Sequence, residues 1–362
     1  MQASPEASPL KWHLGHTTWF WAQFILKDNL PENYNFLFNS YYNSVGARTS
    51  RANRGIQSRP GLQEVLAWRQ DVDEKVNKLL SSEEQMPELF EIAIQHEKQH
   101  QELMLMDLQL NFFLMDVQPT AFTGKTIKFI SPDKTFKSFS EAVYEFGCDG
   151  PEFSFDNEGP KHKRWLDSFT ICNSLVTNAD FKSFIEDGGY ANSSLWLSDG
   201  WDWVNETNQN RPLYWSADHE QEFSLLGWLE IDLNAPVRHL SFYEAEAFSQ
   251  WSGYRLPTEF EWELAASEVS FSESKPSFLP TENGEHGFFH SLWQFTNSSY
   301  EPYPGFSAAP GAVGEYNGKF MNNQRVLRGG CCFSPEKHIR KTYRNFFYPF
   351  QNWMASGIRL AK

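Results

Sequence analysis

The sequence predicts an α+β protein of two domains: a helical bundle over residues 1–120 and a mixed, loop-rich domain over residues 135–362. Three observations carry this. A chain of 362 residues exceeds one ordinary domain and suffices for two cores. Large side chains recur at helical spacing up to about residue 115. After Pro119, brief apolar runs alternate with Gly, Asn, Asp and Pro, which punctuate strands and turns.

Taken in order, a first helix is expected over residues 10–30, where Trp12, His16, Phe20 and Phe24 recur every four positions on one largely aromatic face. A second is expected over residues 61–80, with Pro60 suited to its start. The third spans residues 86–115; it opens with Pro87 and Glu88 and carries Leu89, Ala93, His96, His100, Leu103 and Asp107 down one stripe. Together these suggest an antiparallel bundle. Residues 33–60 have no sustained period, and long structureless connections inside a domain are often functional. In the second half, residues 126–130 read as a β-like run. Residues 177–187 and 241–252 read as helices, each opened by a capping hydroxyl with an acidic residue one turn later.

Composition excludes several function classes. Acidic residues outnumber basic ones 46 to 31, giving a formal charge of −15, whereas nucleic-acid affinity depends on Lys and Arg neutralising phosphates. No segment has the length and apolarity of a membrane span, and the start lacks a basic-then-apolar leader. Neither nucleic acid nor membrane is therefore an expected partner. Cys148, Cys172, Cys331 and Cys332 are too few and too irregular for a disulfide framework, which points to the reducing cytoplasm. The adjacent Cys331 and Cys332 read as buried structural thiols. With 32 Phe and 14 Trp, aromatic side chains must line loops or pockets as well as cores.

The sharpest chemical signal is HEKQHQE, in which His96 and His100 stand at i and i+4 and project from adjacent turns of one helix. Both lie on the interior stripe, where a neutral imidazole needs a partner. His16, between Trp12 and Phe20 on the facing helix, is a natural third ligand, although a lone His on an apolar face is more often a hydrogen-bonded core residue. His13 ranks below it, because Pro9 and Thr17 at four-residue spacing make no apolar face. Three neutral imidazoles suit zinc with one water or ferrous iron with open positions, and ligand type does not choose between them.

An ordered series of motifs then resembles one family over nearly the whole chain. SPLKWHLGHTTWFWAQFIL, FNSYYNSVGARTSRANRGIQSRP and QHEKQHQELMLMDL are similar to the DinB-like iron-binding bundle of the ergothioneine-pathway sulfoxide synthases. FDNEGPKHKRWLDSF, APVRHLSFYEAEAFSQWSGYRLPTEFEWELAA, RVLRGG and YRNFFYPFQNWMASGIRLA resemble the formylglycine-generating-enzyme-like, C-type-lectin-like domain fused to it. The resemblance implies an Fe2+ cofactor held by His16, His96 and His100. It also implies an O2-dependent reaction joining the imidazole of hercynine to the sulfur of cysteine as a sulfoxide. It places Gln99 beside the imidazole substrate, and makes Tyr41 and Tyr42 the proton-donating pair of the branch that uses free cysteine, with Tyr303 as a rival. Arg48 and Arg51, with Arg54 at the same three-residue spacing, offer guanidinium forks for the donor carboxylate. Asn345, Phe346 and Phe347 are implied to approach the quaternary ammonium, whose charge aromatic faces attract. Open alternatives are γ-glutamylcysteine as donor, an ovothiol- or selenoneine-type synthase, a zinc hydrolase or thiol transferase, and a non-catalytic binding module.

Overall fold

Pro9 fixes the start of helix α1 (Leu10–Phe20), and its carbonyl accepts from the Trp12 amide at 2.8 Å. The expected helix over residues 10–30 is corrected here. After Phe20 the chain widens into a π-helical turn, Trp21–Leu26, and stops where Lys27 turns left-handed at φ 53°. Side chains every four residues drift by roughly 40° per step around an α-helix, and the wider turn brings Phe24 back beside Phe20, 4.8 Å away between ring centroids.

This computed structural model describes residues 1–82, 89–124, 126–280 and 285–362. The chain forms two compact units, Met1–Gln118 with Ser307–Gly318, and Pro119–Phe306 with Lys319–Lys362. The expectation that residues 135–362 form one domain is corrected to that extent. Segment Ser307–Gly318 belongs with the bundle because the Glu315 carboxylate accepts the Asn43 and Ser44 amides, both at 2.9 Å.

In the first unit, α1 packs against α2 (Glu32–Phe38), α3 (Leu62–Leu80) and α4 (Phe90–Phe113). The start of α3 follows the expectation, with the Gly61 amide donating to the Glu64 carboxylate at 2.6 Å. Of the helix expected over residues 86–115, Met86, Pro87 and Glu88 lie outside the described residues. Arg69 ties three helices together: from α3 it reaches Glu97 of α4 at 3.0 Å and the Thr17 hydroxyl of α1 at 3.2 Å. Residues 33–60 are less structureless than expected, since they contain most of α2 and a 3-10 turn, Arg51–Ile56.

The second unit runs β1 (Phe136–Phe139), β2 (Ala142–Phe146), β3 (His162–Leu166), β4 (Phe169–Leu175), α5 (Asn178–Glu186), α6 (Ser198–Thr207), β5 (Gln221–Ser224), β6 (Gly227–Glu230), α7 (Phe242–Ser252), α8 (Glu259–Ser267), β7 (Trp293–Ser299), β8 (Arg325–Arg328), β9 (Asn345–Phe347), β10 (Ser356–Gly357) and β11 (Arg359–Ala361). An antiparallel sheet has the order β1-β4-β11, a second sheet has the order β10-β7-β8-β9, and β2-β3 and β5-β6 are separate antiparallel pairs. Residues 126–130 form no strand. The Phe129 amide instead donates to Asp232 at 2.8 Å, and the Phe129 carbonyl accepts from the Asn234 side chain at 3.2 Å. The caps of α5 and α7 follow the expectation: Asp180 accepts the Thr177 amide at 2.9 Å and Glu244 the Ser241 amide at 2.7 Å. Cys331 and Cys332 are buried. Among the described residues no helix is long and apolar enough to cross a membrane.

Candidate metal centre

Three histidines converge inside the first unit. His16 comes from α1, His96 and His100 from successive turns of α4, and their ligand atoms lie within 4.8 Å of one another. All three are buried. His16 is held in a ring stack, with Trp12 4.7 Å from it on one side and Trp19 5.7 Å on the other, and the Arg54 guanidinium 3.4 Å from the Trp12 ring. Its Nδ1–H donates to the Phe38 carbonyl at 2.6 Å, which leaves the Nε2 lone pair facing His96 Nε2 at 3.1 Å. Phe20 stacks on His96 at 4.2 Å.

Burial, the largest influence, holds the imidazoles of His16 and His100 well below their ordinary range, with neighbouring histidines adding to it; burial likewise brings His96 down to about 3. All three are neutral near pH 7, the form that coordinates. Buried lone pairs converging among apolar rings fit a bound cation, and three neutral nitrogen donors are a set that zinc and ferrous iron both accept. The cluster can therefore hold a metal ion.

Aromatic residues wall one side of the cluster. Tyr42 is fully buried against Trp19, Phe24 and Phe20, with centroids at 5.6, 5.1 and 6.2 Å. Its hydroxyl donates to that of Tyr41 at 3.4 Å, and burial, more than the neighbouring Tyr41, raises its phenol well above the ordinary value. The turn that presents the pair is organised by Asn39. Its side chain accepts the Tyr42 amide and donates to the Tyr42 carbonyl, both at 2.9 Å. Tyr316 stands 5.9 Å from His96 and 6.3 Å from Tyr41 between ring centroids, and its hydroxyl donates to Gln99 Oε1.

The sulfatase-modifying factor enzyme 1-like domain, FGE-sulfatase, matches residues 142–275. A hercynine oxygenase of Mycolicibacterium smegmatis is 28% identical over 99% of this chain and 92% of its own length. That of Mycolicibacterium thermoresistibile is 27% identical over 99% of this chain and 88% of its own length. This chain is a homologue of the hercynine oxygenases. The bovine protein called inactive Cα-formylglycine-generating enzyme 2 is 33% identical over 34% of the chain and 45% of its own length.

The arginines of the loop diverge. Arg48 and Arg51 are exposed, whereas Arg54 is buried and donates to Ser8 Oγ at 3.0 Å and Ser40 Oγ at 2.9 Å. Asn345, Phe346 and Phe347 form β9 of the second unit, where Phe346 stacks on Tyr300 at 4.1 Å. Tyr303 is buried in that unit, its hydroxyl donating to Glu259 at 3.0 Å and the Arg344 guanidinium 3.9 Å from its ring. Sequence reasoning missed Tyr316, whose partner Gln99 lies far away in the chain. It also undervalued His13, which is buried within 2.7 Å of His100 and 2.9 Å of Asp107. The available signal was spacing: Asp107 follows His100 by seven residues, two turns along one face of α4.

Proposed function

We propose that this protein is an oxygen-dependent, non-haem Fe2+ enzyme that joins the imidazole C2 of hercynine to the sulfur of cysteine, giving hercynylcysteine sulfoxide. The observation that carries the reading is the meeting of three buried, neutral imidazoles from two helices, in a chain aligned with hercynine oxygenases over almost its full length. His16, His96 and His100 would hold the iron, which supplies redox chemistry with O2 and a common centre for the thiol and the imidazole.

The chain's own residues do the rest. Gln99 and Tyr316 offer an amide and a phenol for the imidazole substrate next to His96. Tyr41 and Tyr42 hold two phenolic protons, and the hydrogen bond that the Tyr42 hydroxyl donates would steady Tyr41 once Tyr41 has given up its own proton. Burial disfavours a free phenolate on Tyr42, so the pair serves as a donor at neutral pH rather than as a base. Stacked rings on either side of His16 keep bulk water from the metal ligands. Exposed Arg48 and Arg51 are assigned to the carboxylate of the amino-acid thiol.

The test is anaerobic loading with Fe2+, admission of O2 with hercynine and either cysteine or γ-glutamylcysteine, and mass spectrometry with an oxygen electrode. Hercynylcysteine sulfoxide with matching oxygen uptake is expected, and its loss in His96→Ala. Failure of the loaded wild type to consume oxygen with either thiol would refute the reading.

A further inference from the structure

The first unit contains four histidines, and His13 is the one outside the three-histidine cluster. Its two ring nitrogens are both engaged. Nε2 lies 2.9 Å from Asp107 Oδ2 and Nδ1 lies 2.7 Å from His100 Nδ1. A carboxylate can only accept, so His13 Nε2 carries a hydrogen and donates it. Between the two Nδ1 atoms there is room for one hydrogen. If it sits on His100, both rings are neutral and the His100 Nε2 lone pair is left for the cluster. If it sits on His13, that ring is an imidazolium, and a neutral His100 must carry its own hydrogen on Nε2, where it blocks coordination.

The carboxylate end is fixed. The Ser8 amide donates to the same Asp107 oxygen at 2.7 Å, and Arg54 holds the Ser8 hydroxyl at 3.0 Å. Asp107 and His100 share one face of the rigid helix α4, so the two groups that bond the His13 ring are held at a fixed separation. We propose that Asp107 and His13 are positioning residues that lock His100 in its Nδ1–H tautomer, so that His100 offers the Nε2 lone pair to the metal. This rests on reading His16, His96 and His100 as metal ligands. Removing the acceptor at His13 leaves the buried His100 Nδ1–H unpaired and frees the ring to change tautomer or rotate. Outer partners of this kind are worth about 10- to 100-fold in metal affinity.

Two measurements on the full-length protein test it. In the metal-free state, long-range proton–nitrogen correlation spectra of 15N-histidine-labelled protein are expected to place the hydrogen of His100 on Nδ1 and that of His13 on Nε2. A His100 hydrogen on Nε2 overturns the proposal, and this readout needs no variant to fold. In anaerobic titrations with Fe2+ or Co2+, His13→Phe is expected to weaken binding by about 10- to 100-fold and to shift the Co2+ absorption bands. His13→Gln, whose amide can both accept from His100 and donate to Asp107, should recover most of the loss. Wild-type affinity and bands in a folded His13→Phe protein would defeat the relay alone. Absence of metal binding by the wild type would defeat the ligand reading and the relay together.

Discussion

His16 owes its orientation to a residue with no side chain. A Cβ on Gly15 would stand 2.1 Å from the Phe38 ring, so glycine lets α2 approach α1 closely enough for the Phe38 carbonyl to accept the His16 Nδ1–H hydrogen bond. Gly15→Ala should gain about 1 kcal/mol of helix propensity yet lose more to overpacking, for a net destabilisation of about 1–2 kcal/mol. Urea unfolding measures that, and a parallel metal titration should weaken as Phe38 moves; full stability with unchanged affinity would count against this packing account. Tyr316 gives a second residue-scale expectation. If its hydroxyl orients the imidazole substrate through Gln99, Tyr316→Phe raises the KM for hercynine by roughly tenfold with little change in kcat, the worth of about one hydrogen bond. A fall in kcat at constant KM would instead make it a proton donor, the role assigned to Tyr41 and Tyr42. The metal-site histidines were legible because i, i+4 spacing on one helix is a local property. Tyr316 was not, because its partner Gln99 lies 217 residues away in the chain.

Helices with explicit caps were the easiest elements to read. Those of α5 and α7 pair a hydroxyl and a carboxylate within four residues, and the backbone must bond them wherever the helix packs. The cap of α7 also carries a pH consequence. Glu244 is fully buried and accepts from Tyr190 as well as Ser241, and burial raises its carboxyl from 4.5 to about 7 against the pull of those donors. A carboxyl whose folded value is raised binds its proton more tightly in the native state. Its contribution is therefore whole below the unfolded value of 4.5 and declines as pH rises toward about 7. From pH 5 to pH 8, wild type should lose up to about 3 kcal/mol relative to Glu244→Gln in chemical unfolding, at 1.36 kcal/mol per unit. Parallel stability curves for the two proteins would contradict it. Helix α2 escaped the sequence because seven residues give under two full turns of pattern. Its place is decided by contact with Gly15, and in residues 126–130 the Asp232 and Asn234 side chains take the Phe129 backbone groups.

At the scale of the whole molecule, the bundle closes around histidines that repel protons but can share a cation, so metal should stabilise the fold as well as serve the reaction. Anaerobic Fe2+ or Co2+ at a hundredfold excess over Kd is expected to add about 2.7 kcal/mol to wild type, and nothing to His96→Ala, as read by the melting transition. An equal shift in both would place the metal elsewhere. In the other unit Glu259 is bonded to Arg344 in a buried ion pair, at 2.7 and 3.0 Å. By itself the sequence determined the α+β class, the helix caps and the pair His96 and His100, all of which are written in short-range spacing and hydrophobic period. Only the tertiary structure decided that segment Ser307–Gly318 packs with the bundle, that Tyr316 faces Gln99, and that His13 joins Asp107 to His100. The reason is physical: a side chain's partner across a helix interface depends on approach distance and rotation, which no local pattern encodes.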